Sequence, residues 1–193
     1  IVFSALAFVS AVSAAEPAPA KPKWQKVLPQ TPAGFTLKTL EVAKYPEHTV
    51  EILVYVPDAE GVWPCILDIH GGGWISGHTR HSGALANFPK VLAQLASEGF
   101  VVASLEYRLS GEAPFPAQLQ DARAAIRFLK ANAAKYGIDA SKVGVWGGSA
   151  GGHLSALAAY SCGDAALDPA PASAGSECVQ SLVSWYGVFD FGA

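Results

Sequence analysis

The sequence predicts an α/β fold: a mostly parallel central sheet with helices on both faces and an antiparallel pair of strands at its N-terminal edge. Three observations carry this. Between Trp63 and Tyr160, short continuous apolar runs alternate with longer runs of helical period, the pattern of parallel strands joined by crossover helices. Two earlier runs, from Thr36 and from Thr49, alternate apolar and polar residues as half-exposed strands do. Two glycine-rich turns, His70-Gly71-Gly72-Gly73-Trp74 and Gly147-Gly148-Ser149-Ala150-Gly151-Gly152, directly follow apolar runs. They fall at the strand ends where open α/β sheets bind ligands.

The chain has 193 residues, 51% hydrophobic and 15% charged, with a formal net charge of -3. That suits one domain with a substantial core. The mild acidity gives no reason to expect nucleic acid or an anionic membrane as partner. The organisation expected is a partial signal peptide over 1–15, a proline-rich lead-in over 16–34 and one domain over 35–193. Ile1 to Ala11 is apolar or small throughout, and Ser13-Ala14-Ala15 before Glu16 offers the small-x-small pattern of a signal-peptidase site. A secreted or periplasmic protein follows. The chain contains no methionine, so it is read as a fragment or a processed form.

Each element has its own signal. Pro17, Pro19, Pro22, Pro29 and Pro32 make the lead-in extended. Thr36–Val42 and Thr49–Val56 alternate and form the edge pair, followed by a turn over Pro57–Gly61. Trp63–Ile69 is apolar except for Pro64 and Asp68, as in a strand buried on both faces. Leu85, Phe88, Val91, Leu92 and Leu95 mark a helix over Ala84–Ser97, closed by Gly99. Phe100–Leu105 is the next buried strand. Leu119, Ala122, Ala125, Ile126 and Leu129 share one face of a long helix over Pro116–Tyr136, stopped by Gly137. Val143–Trp146 is a strand, Ser149–Tyr160 a helix and Val179–Tyr186 a final strand. Cys65 reads as a small buried hydrophobe. Cys162 and Cys178 bracket a loop rich in Ala, Pro, Gly and Ser. In an exported protein they can be bridged, and an unbridged pair is the alternative. No cysteine or histidine set has metal-ligand spacing.

Two turns carry chemistry. Gly147-x-Ser149-x-Gly151 between strand and helix is the spacing of a nucleophile elbow, which lifts a serine hydroxyl above the sheet on a strained backbone. The three glycines after His70 let bare backbone approach a ligand and offer N–H donors to a developing oxyanion. One such donor is worth about 3 kcal/mol of barrier.

Together His70–Trp74, the segment Tyr107–Ala117, the run Asp121–Lys130 and the elbow Gly147–His153 resemble the α/β-hydrolase superfamily. Within it they resemble the hormone-sensitive-lipase-like branch, and within that branch exported bacterial esterases of the acetylxylan and feruloyl kind. The resemblance runs from about Val50 onward. It implies Ser149 as nucleophile, with the N–H groups of Gly72, Gly73 and Ala150 as oxyanion donors and no cofactor or metal. It also implies a triad Asp and then a His on later strands. No histidine follows His153, so neither triad partner has a matching position here, and this chain alone is expected to be inactive and poorly soluble, with its last strand an open apolar edge. Trp74 either walls the acyl or alcohol site or simply packs. His153, one helical turn past Ser149, is expected to pack. His70 is expected to fix the oxyanion loop. His78 and His81 are read as solvated loop residues and His48 as unremarkable. Asp121 and Glu112 are expected to tie the loop after Tyr107 to the following helix through Arg108 or Arg123. Asp190 falls one strand too early to be the triad acid. The function expected is an ester hydrolase for short acyl or aromatic esters, including those on plant polysaccharide, working on small-molecule or polysaccharide-linked substrates. Alternatives are a serine exopeptidase of the same superfamily and a non-catalytic binding protein.

Overall fold

A computed structural model describes residues 34–82, 87–168 and 174–192. The segment expected to be a signal peptide and nearly all of the expected lead-in lie outside the described residues, as does the expected start of the first helix at Ala84. The elements are β1 (Phe35–Lys44), β2 (Thr49–Pro57), β3 (Trp63–Ile69), α1 (Phe88–Ser97), β4 (Val101–Glu106), α2 (Ala117–Ala131), α3 (Ala133–Tyr136), β5 (Ile138–Gly148), α4 (Ala150–Tyr160) and β6 (Ser181–Trp185).

The six strands form one sheet in the order β1-β2-β4-β3-β5-β6. β1 and β2 pair antiparallel with each other, and β2 pairs antiparallel with β4. The pairings β4–β3, β3–β5 and β5–β6 are parallel. β6 is an edge of the described sheet, its burial alternating residue by residue. The two faces hold separate cores. α1 packs Phe88, Leu92, Ala93 and Ala96 against Leu53, Tyr55 and Val102. On the other face α2 and α4 bury Leu119, Ile126, Leu129 and Leu154 against Ile52, Leu67, Leu105 and Val145. At about 1.5–3 kcal/mol for each fully buried large apolar side chain, the second core dominates the stability.

Two boundaries differ from the sequence reading. The long helix breaks at Asn132, whose side-chain amide takes the Phe128 carbonyl at 2.9 Å. An asparagine that bonds the backbone four residues back competes with the helix it sits in. Helix α3 then ends at Gly137, in the left-handed region at φ 63, as expected. β5 starts at Ile138 rather than Val143. Ile138 pairs with Trp63, and a register shift before Cys65 accommodates the polar stretch that hid this part of the strand.

Side-chain ties fix the connections. Arg108 clamps Asp121 with Nη2 donating at 2.7 Å, and the Arg108 backbone N–H donates to the same carboxylate at 2.9 Å. The Tyr45 ring lies 3.6 Å beneath the guanidinium. Glu112 and Arg123 do otherwise than expected. Glu112 accepts from the Leu109 N–H at 2.6 Å and pairs with His48 at 3.0 Å, which gives His48 a structural task. Arg123, fully buried, donates to the Asp164 carbonyl at 3.0 Å and the Ser161 hydroxyl at 2.7 Å. Cys162 and Cys178 are disulfide-bonded, closing the loop that Arg127 also ties through Asp168 and Glu177. Cys65 is buried, and burial pushes its thiol up to about 12, which keeps it unreactive. No helix among the described residues is long and apolar enough to cross a membrane.

Candidate active site

Two neighbouring strand ends build the site. β5 turns at Ser149, whose backbone sits at φ 54, ψ -123. A non-glycine residue there costs about 1–3 kcal/mol, and the surrounding contacts must enforce it. The enforcing contacts are backbone to backbone. The Ser149 N–H donates to the Trp185 carbonyl of β6 at 2.9 Å, and the His153 N–H donates to the Ser149 carbonyl at 3.0 Å. A Cβ on Gly151 would stand 1.9 Å from the Ile69 carbonyl oxygen, and one on Gly147 2.6 Å from that same oxygen. The elbow is thus seated directly against the end of β3, and side chains are excluded where it turns.

β3 ends in the second turn. Gly72 sits at φ 120, and a Cβ on it would fall 2.1 Å from the Ser76 carbonyl oxygen. The Gly72 carbonyl closes this tight loop by accepting from the N–H groups of both Ile75 and Ser76. Among the described residues no acceptor takes the N–H of Gly72 or Gly73. The loop hangs on buried side chains. Tyr107 Oη donates to the His70 carbonyl at 3.0 Å, and its ring stacks on the imidazole at 4.2 Å. His70 Nδ1–H donates to the Gly71 carbonyl at 2.8 Å, since a carbonyl can only accept. The Gly71 N–H donates to Ser82 Oγ at 3.2 Å. Burial drives the His70 imidazole down to about 4, so it stays neutral at physiological pH. Two residues earlier on β3, burial lifts the Asp68 carboxyl to about 7, against the Ser104 hydroxyl that donates to it at 3.2 Å.

The two turns enclose a cleft of about 290 Å³ lined by Gly71, Gly72, Gly73, Ser82, Gly148, Ser149 and Tyr186. Three of the sequence-predicted residues, Ser149, Gly72 and Gly73, therefore meet in one place. Ala150 opens α4 next to Ser149, and the N–H of a first helical residue has no acceptor within its helix. Such an arrangement offers a hydroxyl beside up to three backbone donors and a helix N-terminus, which favours negative charge.

The remaining candidates lie elsewhere. Trp74 is outside this cleft: its ring meets His153 edge-on at 5.3 Å and forms one wall of a separate groove of about 440 Å³, with Phe115, Gln118 and Phe191. The His153 imidazole packs between Trp74 and Phe191; its only tie to Ser149 among the described residues is the bond from its backbone N–H to the Ser149 carbonyl. His78 is half-buried, against expectation; it pairs through the backbone with His81, and burial lowers its imidazole to about 4. His81 is exposed as expected, and Asp190 is exposed and accepts the Gly192 N–H at 2.8 Å. Among the described residues no imidazole hydrogen-bonds to Ser149 Oγ, and no group of His, Cys, Asp and Glu lies together as metal ligands would. Ser82 and Tyr186 were not singled out from the sequence. The position of Tyr186 at the end of a parallel strand was the signal for one of them; Ser82 carried no signal.

The profile of the BD-FAE family matches residues 52–193. The chain belongs to that family. Among curated relatives, this BD-FAE member is 34% identical over 134 residues to the probable carboxylic ester hydrolase LipM of Mycobacterium tuberculosis, covering 69% of this chain and 30% of the relative. It is 38% identical over 106 residues to carboxylesterase NlhH of the same species, covering 55% and 32%. Among solved structures, the apo form of Thermogutta terrifontis esterase 2 superposes with a TM-score of 0.68 at 26% identity, covering 86% of this chain and 60% of that one. The acetyl ester-xyloside bifunctional hydrolase of Caldicellulosiruptor lactoaceticus gives 0.65 at 28% identity, covering 78% and 57%. The fold is the α/β-hydrolase fold. The BD-FAE chain spans about a third of the length of the curated relatives it matches.

Proposed function

We propose that this chain carries the nucleophile and oxyanion hole of an exported serine carboxylesterase. The observation that carries the reading is the cleft in which strained Ser149 faces the unpaired N–H groups of Gly72 and Gly73. In the reaction, Ser149 Oγ bonds to the ester carbonyl carbon and gives up its proton. The carbonyl oxygen becomes an oxyanion held by the N–H groups of Gly72, Gly73 and Ala150. The alcohol leaves with a proton, and water then cleaves the acyl-enzyme. The proton acceptor is not among the described residues touching Ser149; in this fold it follows the nucleophile in chain order, as Asp then His.

Short acyl or aromatic esters are the substrates proposed, with polysaccharide-linked esters among them. The likeness to an acetyl ester-xyloside hydrolase supports the second part. Secretion or periplasmic residence is supported by the Cys162–Cys178 disulfide, a bond that persists in oxidising compartments. A fluorophosphonate probe applied to the protein as its organism produces it tests the nucleophile: label on a peptide containing Ser149, absent in Ser149→Ala, is the expected result. An unlabelled Ser149 in folded protein would instead favour a non-catalytic binding role.

A further inference from the structure

The peptide unit that carries the Gly73 N–H is held from behind. In a planar trans peptide the N–H and the C=O point opposite ways, so fixing one aims the other. The C=O of that unit belongs to Gly72, and it accepts from the Ile75 N–H at 3.2 Å and the Ser76 N–H at 3.1 Å. The Ile75 N–H belongs in turn to a unit whose C=O is that of Trp74, and this accepts from the Ser110 N–H at 2.8 Å. The Ser110 N–H shares its unit with the Leu109 C=O, which accepts from the N–H groups of Glu112 at 2.9 Å and Ala113 at 3.0 Å. Three peptide units thus stand in series, and the series ends on the Gly73 N–H, which no acceptor takes among the described residues. Hydrogen bonds chained in this way polarise one another in the same sense.

Packing alone does not aim this N–H. A Cβ on Gly73 would meet only the Ile75 side chain, at 3.8 Å. Trp74, the next residue, sits at φ 61, a conformation that a bulky residue keeps only when its surroundings impose it. On its backbone carbonyl the imposing contact is the bond from Ser110. One side chain closes the far end of the series. Glu112 Oε2 accepts the Leu109 N–H at 2.6 Å, which ties the turn from Leu109 to Ala113 shut. Glu112 Oε1 accepts from His48 Nδ1–H at 3.0 Å. One residue before the turn, Arg108 is fixed between the Tyr45 ring and Asp121. Tyr45 and His48, in the β1–β2 connection, therefore anchor the series to the sheet.

We propose that Glu112 is a positioning residue of the ester-hydrolysing reaction: through the Leu109, Trp74 and Gly72 carbonyls it aims the Gly73 N–H at the oxyanion, although it lines no part of the cleft. The assignment rests on the esterase reading above. Removing one oxyanion donor lowers kcat by roughly 10²–10³, and a donor that stays in place but is misaimed lowers it by less.

Kinetics and amide exchange on the protein as its organism produces it test this separately. Glu112→Ala is expected to lower kcat for p-nitrophenyl acetate by about ten- to a hundredfold and to leave KM within about twofold, because the contact acts on the transition state. Glu112→Gln, which keeps a side-chain oxygen for the Leu109 N–H, is expected to restore most of kcat. A trifluoromethyl ketone adds to Ser149 Oγ and places the resulting oxyanion in the hole, so its inhibition should weaken by the same factor as kcat. The matching methyl ketone should bind all variants alike. The Ile75 and Ser110 amides should exchange about tenfold faster in Glu112→Ala, while the Gly71 amide, held by Ser82 at 3.2 Å, keeps its protection.

Undiminished kcat in Glu112→Ala, a rise in KM alone, equal losses in Glu112→Ala and Glu112→Gln, or unchanged exchange at Ile75 and Ser110 overturns the positioning role and leaves the esterase reading standing. A wild type that neither turns over ester nor takes the fluorophosphonate label overturns both. Should Glu112→Ala fail to fold, Glu112→Asp decides in its place: its carboxylate is one carbon short of the Leu109 N–H, and the same loss of kcat at constant KM is expected.

Discussion

The elbow at Ser149 and the loop at His70–Trp74 are both glycine turns at the ends of adjacent parallel strands, yet they are held in opposite ways. The elbow is held by what is missing. Gly147 and Gly151 lie so close to the end of β3 that a single added carbon would meet the Ile69 carbonyl. The loop is held by what is present: the Tyr107 hydroxyl, the His70 imidazole and the Ser82 hydroxyl, all buried. One turn therefore tolerates no enlargement, while the other tolerates no loss of polar partners. The difference teaches that a strained nucleophile can be enforced by backbone alone, whereas donors that must remain unpaired need side chains to hold the loop around them.

The largest expected effect separates chemistry from scaffold at the elbow. Ser149→Ala removes only the hydroxyl, which makes no hydrogen bond that the fold uses among the described residues. In the protein as its organism produces it, esterase turnover of p-nitrophenyl acetate should fall by roughly 10⁵–10⁶, while the melting temperature stays close to wild type. A variant with substantial turnover would remove Ser149 from the reaction. Gly151→Ala should do the reverse and strike the scaffold first. Its Cβ would need backbone to move by more than an ångström at the junction of β3, β5 and α4. The expected loss is on the order of 5 kcal/mol, enough to unfold a marginally stable domain, and denaturant titration reads it. Gly111→Ala, where nothing lies within 4 Å and φ is ordinary, serves as the control and should change stability by less than about 0.5 kcal/mol.

The end of β3 allows the comparison to be sharpened by pH. Asp68 and His70 are two residues apart, both buried, and shifted in opposite senses, up to about 7 and down to about 4. Between pH 4 and 7 the folded state holds a proton on Asp68 that the unfolded chain has released. Stability therefore falls as pH rises through that window, by up to about 4 kcal/mol for a shift of some three units. His70 does the opposite. Below its ordinary value of 6.5 the unfolded chain takes a proton that the folded state refuses, so stability falls as pH drops from 6.5 towards 4, by up to about 3 kcal/mol. Asp68→Asn should accordingly raise stability at pH 8 and leave the acid limb unchanged. Urea titrations of wild type and Asp68→Asn at pH 5 and pH 8 check this; equal differences at the two values would mean that Asp68 is ionised in the folded protein.

Much of this was legible in the sequence. Period and punctuation gave the succession of strands and helices along the chain and both turns, because backbone-enforced features write themselves as glycines at fixed spacing; the order of the strands within the sheet was not legible. The disulfide stood as one of two alternatives. The features that depend on side chains meeting across the sheet were not legible. Ser82, eleven residues beyond Gly71, has no periodic signature, and Asp68 reads as an interruption in an apolar strand until Trp146, Trp185 and Tyr186 are brought around it. The pairing of His48 with Glu112 spans 64 residues and leaves no local trace. The break at Asn132 was missed because one side-chain amide overrode an otherwise continuous helical period.

The smallest expected effect tests the loop where its support is a single hydroxyl. Tyr107→Phe keeps the ring and its stacking on His70 and removes only the donor to the His70 carbonyl. That carbonyl lies at the junction where Gly151 also approaches, so no water can readily replace the hydroxyl. The cost to stability should be about 1–2 kcal/mol, the penalty for one buried acceptor left unpaired. Because His70 leads directly into Gly71–Gly73, the loosened turn should misplace the Gly72 and Gly73 donors by a few tenths of an ångström. kcat should then drop several-fold with KM nearly unchanged, since an oxyanion contact acts in the transition state. Labelling of Ser149 by the fluorophosphonate should slow in proportion, because that reaction also develops negative charge on an oxygen in the hole. If stability falls but both rates hold, Tyr107 supports only the fold, and the oxyanion loop keeps its shape through His70 and Ser82 without it.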